Sequence, residues 1–258
     1  MGATCAGIWG EDRMTEALKF ALKENEQFTY HEHDNGLKYY RHDYFDKHDD
    51  LENCPQSYLI QQLPLVTNPL HFHTQNQFQV FIEGTGSFGR HAVNPYVVHY
   101  AGAFTGYGPI IAGPQGLQYL TLRASRDLGA QFLPEKMENL KKGPKHHYTS
   151  PSIRTKDFSE LSSLSQSTMS WIHQENTLGV GVLEMPAENQ YQLSIPQNIA
   201  GVFLIAMQGA VYIEDTKLVK NENIFAYPKL QNIKIQTHGL PAQILVLQMP
   251  LRDAGYPT

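Results

Sequence analysis

Two histidines separated by one residue and followed by a glutamine form the pattern in this sequence that is best suited to chemistry. His71 and His73 precede Gln77, which begins a run of residues typical of a strand. Alternate side chains of a strand share one face, so we expect both imidazoles to project together. A tight turn would then bring Gln77 beside them. Because imidazole binds Fe, Mn, Ni, Cu and Zn, the three side chains predict a divalent transition-metal site, with a hydrogen-bonded pair of histidines as the alternative.

A second use of these imidazoles is acid–base catalysis. An imidazole titrates near neutral pH, which suits a group that accepts and donates protons. We therefore name His71, His73 and His99 as candidate catalytic residues. His99 is also a candidate for a further metal ligand, as are His31 and His33 if the N-terminal segment folds over the site. Structural or surface positions are the alternative for these last three histidines.

Polar side chains on neighbouring predicted strands are candidates for binding a small molecule. Gln79 shares the strand face of Gln77, and Tyr107 offers a hydroxyl group beside an aromatic ring. Arg90 would bind a carboxylate or phosphate with two hydrogen bonds if it pointed inward. The same holds for Arg123, although a surface ion pair is the commoner fate of both arginines. We name Gln79, Arg90 and Tyr107 as candidate substrate-binding residues.

Short strands must position these residues. Over residues 57–124, apolar or alternating runs are separated by Gly, Pro and Asn, and the same rhythm returns over 171–258. Closely spaced strands with turn residues between them indicate antiparallel barrels or sandwiches. Residues 125–170 lose this pattern and are predicted to be a linker. Residues 1–56 are predicted to form a helix, over 11–25, followed by an extended arm with irregular structure and edge strands.

The histidine pattern resembles the first sequence motif of the cupin superfamily. That motif reads His-x-His, three or four residues, Glu, six residues, Gly, and the intervals between His71, His73, Gln77 and Gly84 agree with it. There are two departures. Gln77 stands in place of the glutamate, and residues 102–109, where a second motif would supply a further histidine, contain none. A neutral amide is a weaker ligand than a carboxylate, so the resemblance implies a partial site that holds its metal loosely.

The second half of the chain repeats the frame of these motifs without their ligands. Gly209 resembles the glycine of the first motif, and Pro228 resembles the proline of the second. Counted from these two residues, the metal positions fall on side chains that are not ligands: Pro196, Asn198, Val202 and Ile233. The resemblance therefore implies a second, degenerate barrel that is kept for packing.

The resemblance implies an all-β fold of two cupin-type antiparallel β-barrels, of the double-stranded β-helix or jelly-roll type, with a short N-terminal helical segment. It implies a metal-dependent enzyme acting on a small oxygenated molecule, with a dioxygenase as the narrower expectation, and a homodimer. Two alternatives stay open. One is a metal-free protein that binds or senses a small molecule, and the other is a metal-free isomerase or lyase with a histidine base.

Composition argues against several other classes of function. The chain has 258 residues, of which 41% are hydrophobic and 17% charged, with a net charge of −5. A net acidic chain does not favour nucleic acid, and no apolar run approaches the roughly 20 residues that span a bilayer. The N-terminus lacks a secretory signal pattern, and two cysteines make no disulfide framework. We therefore expect a cytoplasmic protein in a reduced environment that binds neither nucleic acid nor membranes.

Overall fold

Antiparallel β-sheets form the structure. The computed structural model describes residues 17–45 and 54–256, which separate into two compact units. The first unit comprises residues 26–45, 54–153 and 252–256, and the second comprises residues 17–25 and 154–251. The all-β fold of antiparallel strands predicted from the sequence is confirmed.

The helix predicted over residues 11–25 is wrong for the part that the structure describes. Leu18–Ala21 form strand β1, which pairs with residues 223–226, and Lys23–Asn25 form one turn of 3-10 helix. Residues 11–16 lie outside the described residues. Pairing with a sheet satisfies the backbone of β1 and places Leu18 in an apolar core. These gains outweigh the weak intrinsic helix preference of so short a segment.

The strands of the first unit are β2 Gln27–Glu32, β3 Lys38–Asp43, β4 Gln56–Gln62, β5 Thr67–Asn68, β6 His71–Phe72, β7 Gln77–Phe88, β8 His91–Val93, β9 Val98–Ala101, β10 Ile110–Arg123, β11 Gln131–Phe132 and β12 His147–Thr149. A nine-stranded sheet has the order β12-β9-β7-β10-β4-β3-β2, with β5 paired to β10 and β8 to β7. Strands β6 and β11 pair with each other. A 3-10 turn, Met137–Asn139, precedes β12. As expected, β2 is an edge strand, whereas β3 pairs with both β2 and β4 and lies inside the sheet.

The interior of the first unit changes from apolar to polar along its two longest strands. Phe81 of β7 and Tyr119 of β10 belong to the apolar core cluster. Gln79 lies two residues before Phe81, Thr121 lies two residues after Tyr119, and both are buried. Side chains two residues apart share a strand face, so the polar ones gather where β7 begins and β10 ends. That end of the barrel is where the predicted site residues meet.

Gly84 must be glycine for a geometric reason. Its φ of +79° lies in the left-handed region, and a Cβ added there would be 2.3 Å from the carbonyl oxygen of Gly116. Gly209 of the second unit has a φ of +74°, and its added Cβ would be 2.1 Å from the carbonyl oxygen of Pro241. Gly84 and Gly209, which occupy the same position of the predicted motif, therefore share one local geometry.

The second unit contains β1 and the strands β13 Thr168–Glu175, β14 Leu178–Met185, β15 Gln190–Ser194, β16 Ile199–Gln208, β17 Ala210–Ile213, β18 Thr216–Val219, β19 Asn223–Ala226, β20 Asn232–Gln236 and β21 Ala242–Pro250. They form a six-stranded sheet, β1-β19-β16-β21-β14-β13, and a four-stranded sheet, β15-β20-β17-β18. Helix α1, Phe158–Ser162, and the 3-10 turn Pro228–Leu230 complete it. Val202 and Ile233 lie in its apolar core.

Membrane-spanning helices and the oxidation state of the cysteines are the two features that the composition addressed. No helix within 17–45 or 54–256 is long and apolar enough to cross a membrane. Cys54 is buried and disulfide-bonded, which departs from the reduced cysteines expected from the sequence. Cys5 lies outside the described residues, and the cytoplasmic location stays a prediction.

Candidate functional site

A cavity of about 320 Å³ lies inside the first unit, at the polar end of its barrel. Strands β3, β4, β7 and β10 and the segment 128–132 contribute its wall. The predicted residues His71, His73 and Gln79 line it, together with Arg123. A concave space with convergent polar groups is the usual form of a small-molecule site.

His71 belongs to a chain of hydrogen bonds in which every donor can be assigned. Its Nδ1 lies 2.6 Å from the carbonyl oxygen of Pro69, which can only accept, so Nδ1 carries the proton. Its Nε2 therefore accepts from the hydroxyl of Tyr107, at 3.0 Å. That hydroxyl in turn accepts from the side-chain N–H of Gln77. Burial lowers the pKa of His71 to about 3 and raises that of Tyr107 well above its ordinary value, so both groups are neutral at pH 7.

His73 is paired with a carboxylate. Its Nδ1 lies 2.5 Å from Oδ1 of Asp127, while Oδ2 accepts the backbone N–H and the hydroxyl of Thr74, each at 2.8 Å. Burial lowers the pKa of His73, and the charge of Arg123 lowers it further. Burial alone would raise the pKa of Asp127, but Arg123 and His73 hold it below its ordinary value. His73 is therefore a neutral imidazole that donates Nδ1–H to a carboxylate and keeps Nε2 unprotonated.

Arg123, the last residue of β10, fills the space between these groups. It is only 1% exposed, so the surface ion pair expected from the sequence is wrong for this residue. Its Nε and Nη2 donate to Oε1 of Gln77, at 3.1 and 2.7 Å. Its Nη1 donates to Oε1 of Gln56 at 3.1 Å and to the hydroxyl of Tyr58 at 2.7 Å. Nη2 also lies 3.1 and 3.2 Å from the two ring nitrogens of His73. All five N–H groups of the guanidinium thus face an acceptor.

The three predicted metal ligands are brought together, but their arrangement does not fit a metal. Each imidazole has its Nδ1–H anchored and its Nε2 turned inward, an orientation that metal-binding histidines also have. However, Nε2 of His71 is held by Tyr107, and the amide oxygen of Gln77 is held twice by Arg123. A guanidinium stays charged at all relevant pH values and repels a second cation beside it. Within the described ranges, no three His, Cys, Asp or Glu side chains are grouped to hold a metal ion.

His99 is buried but does not line the cavity. Its ring packs against Phe88 with centroids 4.0 Å apart, and its Nδ1 lies 2.8 Å from the hydroxyl oxygen of Thr149. Its Nε2 has no hydrogen-bond partner among the described residues. Burial, with the charges of His147 and His91, lowers its pKa to about 3. His99 is thus a neutral core side chain, whose ring lies 5.5 Å from that of Tyr107 but outside the cavity wall.

The remaining candidates divide between the cavity wall and the surface. Gln79 lines the cavity, and so does His33, whose Nε2 is 3.4 Å from the hydroxyl of Tyr39. The ring of His31 stacks on Tyr39 with centroids 5.0 Å apart, but His31 is not part of the wall. Arg90 is exposed on the turn between β7 and β8 and lies outside the wall.

Sequence reasoning missed the groups that surround Arg123. Asp127 was placed in the predicted linker, yet it follows the end of β10 by four residues and folds back onto His73. Gln56 and Tyr58 lie on β4, the strand paired with the end of β10. A carboxylate shortly after a strand that ends in arginine is the signal for Asp127. No signal in the sequence separates Gln56 or Tyr58 from other barrel residues.

Solved structures of cupin-fold proteins are similar to this chain. A "putative dioxygenase" from Nostoc punctiforme PCC 73102 has a TM-score of 0.59 at 12% identity, over 94% of this chain and 92% of its own. Oxalate decarboxylase from Lactobacillus farciminis, in a formate complex, has a TM-score of 0.58 at 12% identity, over 96% and 89%. Bacillus subtilis oxalate decarboxylase, which has Mn(II) centres, has a TM-score of 0.57 at 11% identity, over 92% and 78%. No family model and no curated protein matches the chain.

Proposed function

We propose that the first unit is a metal-independent enzyme that moves protons on a small oxygenated molecule, with His73 as its general base. The observation that carries this proposal is the contact of 2.5 Å between His73 Nδ1 and Asp127 at the wall of the cavity. A carboxylate on Nδ1–H fixes the tautomer of an imidazole and stabilises the cation that forms when Nε2 takes a proton. The dioxygenase and the oxalate decarboxylases of similar fold support an enzyme of cupin type.

The reaction class that suits this arrangement is proton abstraction next to a carbonyl group. Nε2 of His73, which lies 3.2 Å from Nη2 of Arg123, would exchange that contact for the substrate and take the proton from carbon, and the electron pair of the C–H bond would move onto the carbonyl oxygen as an enolate. In an α-hydroxycarbonyl compound, the hydroxyl proton moves to the enolate oxygen and His73 returns its proton to the former carbonyl carbon, which gives an isomer. In a lyase, the carbonyl re-forms as a group on the next carbon leaves with its bonding electrons. Asp127 orients the imidazole throughout, and Arg123 keeps the resting ring neutral by disfavouring its charged form.

An exchange experiment tests the proposal without knowledge of the natural substrate. Chelator-treated protein is incubated in ²H₂O with hydroxyacetone and with dihydroxyacetone, and loss of the C–H signal is followed by proton NMR. We expect exchange with the wild type and a loss of about 100-fold or more in His73→Gln, because a positioned base contributes at least that factor. His238→Gln, in the second unit, is the matched control. Equal exchange in His73→Gln and wild type would overturn the assignment of the base.

Elemental analysis distinguishes this proposal from the metal-dependent dioxygenase that the resemblance implies. Wild type and His71→Ala/His73→Ala are purified without an affinity tag and analysed for Fe, Mn, Ni, Cu and Zn. Because Arg123 holds Gln77, we expect far less than one metal ion per chain in both proteins. One ion per wild-type chain, lost in the double variant, would favour the metal-dependent enzyme instead.

A metal-free binding protein is the second candidate. It is favoured by buried acceptor atoms in the cavity wall, on Gln79 and Asn68, that have no partner among the described residues. Such atoms suit recognition of a ligand and require no turnover. Stoichiometric binding with no proton exchange on any carbonyl compound would select this candidate over the enzyme.

A further inference from the structure

Two buried acceptors face the cavity without a donor. Oε1 of Gln79 and Oδ1 of Asn68 form no hydrogen bond with any described residue, although these residues are only 3% and 8% exposed. Both residues line the cavity. The other amide atom of Asn68 is engaged, since Nδ2 lies 3.3 Å from the hydroxyl of Tyr119. A buried acceptor left without a donor is unfavourable, so these two oxygens are suited to donors supplied by a ligand.

The cations of the cavity wall already have acceptors. Arg41 contacts Oδ1 of Asp43 through Nε at 2.8 Å and Nη2 at 2.7 Å, and its guanidinium lies 3.9 Å from the ring centre of Tyr58. Arg123 has all its N–H groups directed at acceptors and lies in the field of Asp127. The wall therefore offers two free acceptors and two charge-balanced arginines. A carboxylate ligand would bring only acceptors to two oxygens that need donors.

We propose that the cavity binds an uncharged ring compound that donates hydroxyl groups to Gln79 and Asn68. The aromatic rings of Tyr39, Tyr119 and Phe132 contribute to the apolar part of the wall, which suits the face of a ring. Phenolic and sugar rings share this chemistry. These rings would be the substrate class of the proposed enzyme. Only their turnover rests on that proposed function, because binding is measured separately.

Ligand-observed NMR with four probes tests the ligand class. Catechol and D-xylose are uncharged rings with hydroxyl donors, one aromatic and one a sugar. Veratrole is catechol with both hydroxyl groups methylated, and phthalate carries two carboxylates on the same ring. We expect catechol or D-xylose to bind, and veratrole and phthalate to bind at least about tenfold more weakly, which corresponds to the loss of about one net hydrogen bond. Tighter binding of catechol would identify a phenolic ring as the ligand, and tighter binding of D-xylose would identify a sugar ring.

Gln79→Met and Asn68→Leu test the two contacts. Each change removes an acceptor and keeps similar volume, so we expect about tenfold weaker binding of the hydroxylated probe and unchanged binding of veratrole. Gln79→Met also has a readout without ligand. Since it removes a buried oxygen that has no donor, the midpoint of thermal unfolding should rise. An amide with a structural role would lower it instead.

The outcomes separate this inference from the proposed function. Tighter binding of phthalate than of both hydroxylated probes overturns the inference, as does an equal affinity of wild type and Gln79→Met for them. No binding of either hydroxylated probe up to its solubility limit overturns it as well. His73→Gln should still bind the probe, so a loss of proton exchange with retained binding concerns catalysis alone.

Discussion

Arg123 donates two hydrogen bonds to the side-chain oxygen of Gln77, from Nε at 3.1 Å and from Nη2 at 2.7 Å. The same amide donates through its nitrogen to the hydroxyl of Tyr107, which donates to His71. A carboxylate at position 77 could accept from Arg123 but could not donate to Tyr107. The glutamine that departs from the cupin motif is therefore the residue that this hydrogen-bond chain requires.

We predict that metal binding can be introduced only if the guanidinium is removed as well. Gln77→Glu alone should bind no Mn²⁺, because the new carboxylate pairs with the buried Arg123. Gln77→Glu combined with Arg123→Met supplies the missing negative charge and frees Nε2 of His73, and the hydroxyl of Tyr107 can then donate to the new carboxylate instead of to His71. Isothermal titration with Mn²⁺, compared among wild type, each single variant and the double variant, checks the prediction. Metal uptake by Gln77→Glu alone would contradict the role assigned to Arg123.

We predict that Asp127→Asn is strongly destabilising. The change removes the carboxylate that is paired with the buried His73 and whose charge acts on the buried Arg123, and breaking a buried charge pair costs about 3–5 kcal/mol. Urea unfolding followed by circular dichroism gives the free energy. Glu160→Gln is the control, because it breaks the exposed pair between Arg154 and Glu160 and should leave stability nearly unchanged. Equal losses in the two variants would show that Asp127 contributes no more than a surface charge.

The general fold was predictable because strand rhythm and turn residues are local signals. The intervals from His71 to Gly84 predicted the start of β7 at Gln77, whereas the strand continues through Gly84, with its left-handed φ, to Phe88. Gly209 reproduces that geometry in the second unit. The helix prediction failed at residues 18–21 because their partner strand, β19, lies some 200 residues later in the chain. A window of local sequence cannot reveal such a partner.

The chemistry of the site was less predictable than its location. His71, His73 and Gln77 do meet, as their spacing indicated. The chemistry of the space between them depends on Arg123 and Asp127. Arg123 is the last residue of β10, and Asp127 lies in the segment that follows this strand. The inward direction of an arginine depends on the register of β10 against β4 and β7. Registers of this kind are tertiary information.

We predict that Gly84→Ala destabilises the first unit more than Gly36→Ala does. Both glycines have a left-handed φ, +79° and +85°, so each alanine variant carries a strain of about 1–2 kcal/mol. Gly36 has no atom within 4 Å of an added Cβ, whereas Gly84 has a carbonyl oxygen at 2.3 Å. The clash should bring the total loss for Gly84→Ala to about 3 kcal/mol or more. Urea unfolding compares the two variants, and equal losses would mean that the backbone around Gly84 relaxes freely.

Stability should fall as the pH drops below about 6.5, because buried imidazoles resist protonation. Burial lowers the pKa of His71 and of His99 to about 3, with His147 and His91 adding to the effect at His99. In the unfolded chain the same rings titrate near their ordinary pKa. Between pH 6.5 and 3 the unfolded chain therefore binds more protons than the folded one, and each histidine removes about 1.4 kcal/mol per pH unit.

His99→Gln isolates one of these histidines away from the cavity. Urea unfolding at pH 7 and pH 5 should show a smaller loss of stability for this variant, by about 2 kcal/mol, because one titrating ring is absent. His238→Gln removes an exposed imidazole, 52% accessible, and should show the full loss of the wild type. If His99→Gln and wild type lose equal stability between the two pH values, His99 is protonated in the folded protein at pH 5. Its burial against Phe88 would then not keep water from Nε2, since only hydration or a new acceptor stabilises a charged ring there.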